Sequence, residues 1–265
     1  MPGPWETLLC ELRDDIAVVT LNRPERLNTM NLSMREELWE CLTSIREAGD
    51  ARAVILTGAG AAFCAGGDMN DFVGRSPEEM HLLMRERSHR WFRALWELPL
   101  PTIAALNGVA AGGGANLLLA CDFVLASERA KIGETFIKVG LMPDLGGLFL
   151  LPRTVGLHQA KALCLTGELI DARRAHELGI VHELTSQEEL IPRSLILGRQ
   201  LAAAPAQAYA ATKALLNRSF ELSIDELLAQ ELFAQSFLFS TDEHQARLES
   251  FLSRDGAPPP AADGG

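Results

Sequence analysis

The acidic residue Asp144 stands in a segment whose composition could support proton transfer. It follows a proline, has Leu141, Met142 and Leu145 as apolar neighbours, and precedes two glycines. Burial among apolar side chains disfavours the charged form of a carboxyl group, so we expect the pKa of Asp144 to lie above the ordinary aspartate value of about 3.9. A Pro-Asp pair is also typical of a turn or a helix N-cap, and taken alone the segment fits either interpretation.

Two glycine-rich segments could receive negative charge on their backbone N–H groups. They are Phe63-Cys64-Ala65-Gly66-Gly67-Asp68 and Asn107-Gly108-Val109-Ala110-Ala111-Gly112-Gly113-Gly114. Glycine at a helix start lowers helix stability by about 0.8 to 1.0 kcal/mol relative to alanine, so close packing or a function must favour it there. Open N–H groups at a helix start stabilise developing negative charge. Neither segment matches a P-loop or a dinucleotide-binding fingerprint, which disfavours a phosphate cradle.

The elements around these segments alternate between strands and helices. An opening hairpin is predicted at 7–13 and 16–21, and Ser33 is expected to cap a helix that ends at Gly49. A loop is predicted at 58–70, a helix from Pro77 towards Leu98, a helix at 113–120, and further strands at 54–57, 102–106, 123–126 and 131–133. This alternation predicts an α/β fold with parallel strands.

The strand signals disappear after about Ile191, and amphipathic helices that need a partner surface replace them. We therefore divide the chain into a catalytic core at 1–190, a helical C-terminal region at 191–255 and a tail at 256–265. The tail is rich in Pro, Ala and Gly and is expected to be disordered.

Composition excludes several classes of function. The formal net charge of -11 and the lack of a basic tract argue against nucleic-acid binding, and 48% hydrophobic residues suffice for a sizeable core. The five cysteines are widely spaced, without a metal-ligand pattern, so we predict reduced thiols and no metal site. Neither a secretory signal nor an apolar run long enough to span a membrane is recognisable, which predicts a cytoplasmic protein without membrane association.

Five motifs in order resemble the crotonase superfamily, also called the enoyl-CoA hydratase/isomerase family, from about residue 7 to residue 254. They are the two glycine-rich segments above, together with Asn22-Arg23-Pro24-Glu25-Arg26-Leu27-Asn28, Met142-Pro143-Asp144 with Leu151-Pro152-Arg153, and Leu165-Thr166-Gly167. The resemblance implies a ββα spiral core, C-terminal helices that build a homotrimer or a dimer of trimers, and an acyl-CoA substrate without a permanently bound cofactor. It also implies that the N–H groups of Gly67 and Gly113 form an oxyanion hole and that Asp144 is catalytic.

The resemblance further assigns the coenzyme A contacts. They fall on the loop at Arg26, Leu27 and Asn28 and on the backbone at Ala65, Gly66 and Asp68. The basic residues Lys213 and Arg254 are candidates for phosphate contacts, the latter across a subunit interface, although both residue types usually lie on solvated helices.

Two positions where the hydratases of the resembling family carry glutamates limit the choice of reaction. This chain has Asn116 and Phe136 there, and neither side chain can move a proton at neutral pH, so the two-glutamate hydration mechanism is absent. Glu134 lies two residues before Phe136, but the register fits without a gap, which disfavours Glu134 as a substitute. Asn116 together with Asp144 resembles the branch of ring-epoxyphenylacetyl-CoA isomerase and Δ3,Δ2-enoyl-CoA isomerases, in which one carboxylate moves a proton from C2 to C4.

Three alternatives remain open at this point. Hydration is one, and an aroyl-CoA dehalogenase is another, because that branch has a nucleophilic aspartate at the position of Asp144 and a histidine where His89 falls. Phe136, however, replaces the tryptophan of that branch. A noncatalytic acyl-CoA-binding scaffold is the third.

The acyl group is expected to lie against apolar residues from the segment 72–96 and from the Asp144 region. The pocket candidates are Asn116, Phe136, Leu141, Met84 and Phe92. Met and aromatic residues at helical spacing are also typical of an ordinary core, so these positions leave open whether the acyl group is a fatty-acid chain or an aromatic ring.

Overall fold

The computed structural model describes residue 3 and residues 5–255, with side chains described to Ser253, and the tail expected at 256–265 lies outside the described residues. Within them the strands β1 to β10 are Leu8–Arg13, Ile16–Leu21, Ala53–Gly58, Ala62–Cys64, Thr102–Leu106, Val109–Ala111, Phe123–Ser127, Lys131–Gly133, Ile170–Asp171 and Glu183–Thr185. The helices α1 to α11 are Leu32–Ala48, Pro77–Leu83, His89–Trp96, Gly113–Leu119, Gly147–Val155, Leu157–Thr166, Ala172–Glu177, Leu190–Ala202, Ala206–Arg218, Ile224–Phe239 and Asp242–Asp255.

The strands form two sheets, and from β3 to β8 successive strands belong to the larger and the smaller sheet in turn. The larger sheet has the order β1-β2-β3-β5-β7-β10, and the smaller has the order β4-β6-β8-β9. Only the terminal pairs β1/β2 and β8/β9 are antiparallel. From β3 to α6 each of three repeats adds one strand to the larger sheet, the next strand to the smaller sheet and then one or more helices. The predicted α/β architecture with parallel sheets and a ββα repeat is confirmed.

The larger sheet is covered on both faces, as parallel sheets require. Every residue of β3 and β5 is buried. One face packs against α1, α3 and α4 in the main core, whereas Ile16, Ile55 and Ile103 on the other face pack against Leu190 and Ala202 of α8. The helix α8 therefore closes the sheet on the side away from the main core.

Three local predictions differ from the structure. Asn31, not Ser33, caps α1, because its side-chain oxygen accepts a hydrogen bond of 2.9 Å from the N–H of Met34. The strand β4 lies in the segment predicted as a loop, and β6 lies between the strand predicted at 102–106 and the helix predicted at 113–120. Three residues are too short to show an alternating pattern. The helix predicted from Pro77 to Leu98 is interrupted by a π-helical turn at Met84–Ser88.

The chain forms two compact units, of which the first ends at Ala203 and the second begins at Ala204. The second unit consists of α9 to α11, and a capping box between Ser223 and Glu226 starts α10. Many large apolar side chains of these helices are exposed, among them Leu232, Phe233, Phe237 and Phe251. None of the described helices combines the length and the apolar character needed to cross a bilayer.

Candidate active site

Two unpartnered backbone N–H groups meet where β4 ends and α4 begins. The N–H of Gly67 follows β4, and that of Gly113 opens α4. The nitrogen of Gly67 is 3.9 Å from the position that a Cβ atom on Gly113 would occupy. Among the described residues neither N–H group has a hydrogen-bond acceptor. Such a pair can donate two hydrogen bonds to one oxyanion.

Strand pairing and backbone hydrogen bonds hold this pair of N–H groups in place. Met30 forms two backbone hydrogen bonds with the residues on either side of Gly67. Its N–H donates to the carbonyl of Gly66 at 2.8 Å, and its carbonyl accepts from the N–H of Asp68 at 3.1 Å. Gly114 brings α4 against β4, since a Cβ atom there would lie 2.0 Å from the carbonyl oxygen of Cys64. The glycine run therefore allows close packing of α4 against β4, and it also leaves the N–H group of Gly113 without an acceptor among the described residues.

Asp144 lies in the segment between a 3-10 helix at Thr135–Val139 and α5. Its Oδ1 atom is buried and has no hydrogen-bond partner among the described residues. Burial raises the pKa of Asp144 to about 6, and the positive charge of Arg35 acts in the opposite direction. The carboxyl group is therefore mostly ionised at neutral pH and is a stronger base than an exposed aspartate.

The buried residue Arg35 was missed by the sequence analysis. Its Nε and Nη2 atoms donate to the carbonyl of Met30 at 3.3 and 3.2 Å, and its Nη1 atom donates to Ser88. A Cβ atom on Gly67 would stand 3.0 Å from Nη2. The guanidinium group thus supports Met30, which pairs with Gly67, and supplies positive charge near Asp144. The sequence feature that could have indicated a buried Arg35 is its position next to Met34, on the apolar face of α1, where a charged residue is unusual.

Glu134 is also part of this region, between β8 and the 3-10 helix. It is 2% exposed, and neither of its carboxyl oxygens has a hydrogen-bond partner among the described residues. Burial raises the pKa of Glu134 to about 8, with a further contribution from the charge of Asp144, while the neighbouring Asn116 amide opposes the shift. The sequence analysis disfavoured Glu134 from the register alone, but the fold buries its carboxyl group close enough to Asp144 to interact with it.

Asn116 on α4 lies beside the Glu134 carboxyl group and bonds to the main chain of Asp144. Its side-chain Nδ2 atom donates a hydrogen bond of 2.9 Å to the backbone carbonyl of Asp144, and its Oδ1 atom is buried without a partner among the described residues. The packing is tight, because a Cβ atom on Gly147 would lie 2.4 Å from that Oδ1 atom. Asn116 therefore fixes the main chain of Asp144 and is not itself exposed to a pocket.

The other pocket candidates differ in their distance from the glycine and Asp144 segments and in their exposure. The ring of Phe136 lies 3.6 Å from the Cβ position of Gly112, and the ring of Phe92 contacts Gly146, two residues after Asp144. Met84 opens the π-helical turn and is half-buried, whereas Leu141 is 49% exposed. Among the pocket candidates, Phe136 thus lies next to the start of α4, and Phe92 lies next to the segment that carries Asp144.

Two of the segments assigned to coenzyme A by resemblance, 26–28 and 65–68, lie side by side. Arg26 and Leu27 are exposed, and the N–H of Ala65 donates to the carbonyl of Leu27 at 3.0 Å. Asn28 is fully buried, where it accepts from the N–H of Arg23 and donates to the carbonyls of Ala59 and Ala62. Its side chain supports the loop from inside.

The remaining assigned residues have other surroundings. Asp68 forms an ion pair of 3.1 Å with Arg23 and caps the turn at Met69–Asp71. Lys213 is buried on α9, and Arg254 lies in α11 with its side chain outside the described residues. His89 is exposed at the start of α3. In the described part of the chain no group of three or more potential metal ligands occurs.

Known proteins resemble the chain along almost its whole length. The family model described as enoyl-CoA hydratase/isomerase matches residues 11–258. A probable enoyl-CoA hydratase from Rhodobacter capsulatus is 36% identical over 250 residues, covering 94% of this chain and 96% of the relative. The 1,2-epoxyphenylacetyl-CoA isomerase of Escherichia coli is 36% identical over 253 residues with the same coverage of each chain. The crystal structure of a putative enoyl-CoA hydratase from Streptomyces coelicolor has a TM-score of 0.90 at 34% identity, covering 98% of this chain and 95% of that chain.

Proposed function

We propose that this chain, which belongs to the enoyl-CoA hydratase/isomerase family, moves a double bond in an acyl-CoA thioester by using Asp144 as its base. The observation that carries the proposal is the buried Asp144 carboxyl group, with a pKa raised to about 6, in a site that also contains two unpartnered N–H groups. The named relatives include both hydratases and an isomerase, so the choice between reactions rests on the side chains of the site. Asn116 and Phe136 stand where the hydratases that this chain resembles carry glutamates.

The proposed reaction balances with one carboxylate. Asp144 removes a proton from C2 of a 3-enoyl thioester, and the electron pair moves towards the thioester oxygen to form an enolate. The N–H groups of Gly67 and Gly113 donate hydrogen bonds to that oxygen, and each such donor lowers the barrier by about 2.7 to 4 kcal/mol. Protonated Asp144 then returns the proton to C4 as the double bond moves to C2 and C3.

Isomerisation is tested with Asp144→Asn, which keeps the size of the side chain but removes the base. We expect the conversion of a 3-enoyl-CoA into the 2-enoyl-CoA, and the exchange of its C2 protons with deuterium, to fall by about a factor of 10³, while acyl-CoA binding stays nearly unchanged. Asp71→Asn is the matched control, because Asp71 also interacts with the charge of Arg35. A fully active Asp144→Asn variant would contradict the proposal, and a wild-type protein that binds acyl-CoA without exchanging C2 protons would indicate a scaffold.

Hydration is the second candidate, because Glu134 is a second buried carboxyl group that interacts with Asp144. Adding water to a 2-enoyl thioester needs a base for the water and an acid for C2, and two carboxyl groups with different pKa values suit those roles. A substrate panel of 2-enoyl-CoA, 3-enoyl-CoA and ring-epoxide thioesters separates the reactions. Formation of 3-hydroxyacyl-CoA from the 2-enoyl substrate at a rate above isomerisation would favour hydration.

We further propose that the chain acts in the cytoplasm as a homotrimer or a dimer of trimers. The exposed apolar side chains of α9 to α11 support an assembly, since such surface is usually covered by a partner. Light scattering on the purified chain measures the number of subunits directly, and a stable monomer would contradict this part of the proposal.

A further inference from the structure

We propose that Glu134 is a positioning residue, protonated in the working enzyme, which through Asn116 keeps the main chain of Asp144 in place. This inference rests on the catalytic role proposed for Asp144. It assigns a function to a carboxyl group that one-carboxylate isomerisation leaves unused.

The environment of Glu134 favours the neutral acid. Its side chain is almost completely buried, and neither oxygen has a partner at hydrogen-bond geometry within the described part of the chain. The interaction with the Asn116 amide lowers the pKa of Glu134, but burial and the charge of Asp144 outweigh it. An ionised carboxylate without donors is strongly destabilised in a protein interior, whereas a protonated one is tolerated. The raised pKa of Glu134 agrees with this geometry.

The titratable groups that face Glu134 do not offset a negative charge. Asp144 comes from the segment before α5, and Cys164 comes from α6, where burial and then the Glu134 charge raise the pKa of the thiol. The positive charge of Arg35 lowers the pKa of Asp144. Ionisation of Glu134 would therefore place a second negative charge beside the catalytic carboxylate.

The connection between Glu134 and Asp144 runs through Asn116. The Asn116 amide lies beside the Glu134 carboxyl group and donates to the backbone carbonyl of Asp144 at 2.9 Å. A neutral Glu134 has an O–H group that can donate to the amide oxygen of Asn116, which is itself buried without a partner among the described residues. An ionised Glu134 would instead attract the amide N–H groups and compete with the Asp144 carbonyl.

The test uses two variants of the full-length enzyme. Glu134→Gln keeps a neutral group that can donate a hydrogen bond, and Glu134→Leu is neutral and of similar size but cannot donate. Values of kcat and KM are measured from pH 6 to pH 10, with Glu128→Gln as the control, because Glu128 is an exposed glutamate paired with Arg173. In parallel, carboxyl carbon NMR of the wild type follows the titration of Glu134, whose signal is identified by its absence from Glu134→Gln.

We expect the wild type to lose kcat as the pH rises through the titration of Glu134, and Glu134→Gln to lack this alkaline decline while keeping kcat at pH 7 within about threefold. Glu134→Leu should lower kcat about tenfold at every pH, with KM changed less than about twofold, because it removes one hydrogen bond from the support of Asp144. It should also shift the side-chain amide NMR signals of Asn116.

Three results would overturn the inference. They are an unchanged alkaline decline in Glu134→Gln, wild-type kcat and unchanged Asn116 signals in Glu134→Leu, and a Glu134 signal that is already ionised at neutral pH. The NMR measurements need no turnover, so they remain decisive if the chain isomerises none of the substrates. Failure of the proposed function and failure of this inference are thereby distinguishable.

Discussion

The oxyanion segments and the carboxyl cluster of the same site are built by different means. The N–H groups of Gly67 and Gly113 belong to the backbone and are fixed by strand pairing and by a contact that only glycine at position 114 allows. The cluster of Asn116, Glu134 and Asp144 consists of side chains from three separate segments, with several buried polar atoms unpartnered among the described residues. The first part is set by local sterics, and the second depends on how distant segments meet.

The largest effect is expected where the oxyanion segments are forced apart. In Gly114→Ala the new Cβ atom would lie 2.0 Å from the Cys64 carbonyl oxygen, so β4 or α4 must move. We expect the free energy of unfolding to fall by about 3 kcal/mol and isomerisation to fall by more than about a hundredfold. Denaturant unfolding and C2 proton exchange measure the two effects.

Gly49→Ala is the matched control for that change. Gly49 has a positive φ of 69° but no atom within 4 Å of its Cβ position, so the cost is the backbone strain alone. It should destabilise the protein by about 1 kcal/mol and leave activity unchanged. Equal losses in both variants would mean that the contact with Cys64 is not what fixes the oxyanion segments.

A smaller effect is expected from the centre of the carboxyl cluster. Asn116→Leu removes the hydrogen bond to the backbone carbonyl of Asp144, and it should lower kcat by about ten- to a hundredfold with little change in KM. Combining it with Glu134→Leu should add almost nothing, because both changes remove the same support. Fully additive losses would show that the two side chains act independently.

The pH dependence of stability distinguishes the cluster from the backbone segments without any substrate. Burial raises the pKa of Glu134 to about 8, so the folded state holds this proton more tightly than the unfolded state does. The resulting stability is complete below the unfolded value near 4.3 and is lost as the pH rises through 8, by up to about 1.4 kcal/mol per pH unit. Urea unfolding of the wild type between pH 5 and pH 8 should show this slope in excess of that of Glu134→Gln. If the free energy of unfolding depends on pH equally in the wild type and in Glu134→Gln, the carboxyl group of Glu134 is solvated and not buried.

The smallest effect concerns the acid side of the activity profile. Asp144 must be ionised to act as a base, so kcat/KM should decline as the pH falls through about 6. Arg35→Gln removes the positive charge that lowers the pKa of Asp144, so the decline should begin at a higher pH. We expect about a threefold loss at pH 6 and little at pH 8 beyond any general effect of the substitution. A decline displaced to lower pH would contradict the assigned direction.

The same contrast separates what the sequence predicts from what it does not. The α/β repeat is readable because strands and glycine turns have short-range patterns, and Gly67 and Gly113 follow from ordered motifs. Glu134 is not readable, since its burial arises only when α4, β8 and the Asp144 segment come together. The register of the sequence places Phe136, and not Glu134, where a hydratase glutamate is expected. Arg35 is not readable either, because a charged residue on a helix is normally solvated. Burial in both cases is a property of the tertiary structure.

The π-helical turn at Met84–Ser88 has a consequence for how the residues proposed to contact the acyl group can change between homologues. Such a turn contains one residue more than α-helical geometry would use, and successive residues of an α-helix are about 100° apart. Loss of a single codon there would restore a continuous helix and rotate everything before the turn relative to Phe92. Homologues that differ by this one-residue gap would therefore present another set of side chains to the acyl group while conserving Gly113 and Asp144. We therefore expect a change of substrate class to follow from length variation at Met84–Ser88 more often than from substitution of Gly113 or Asp144.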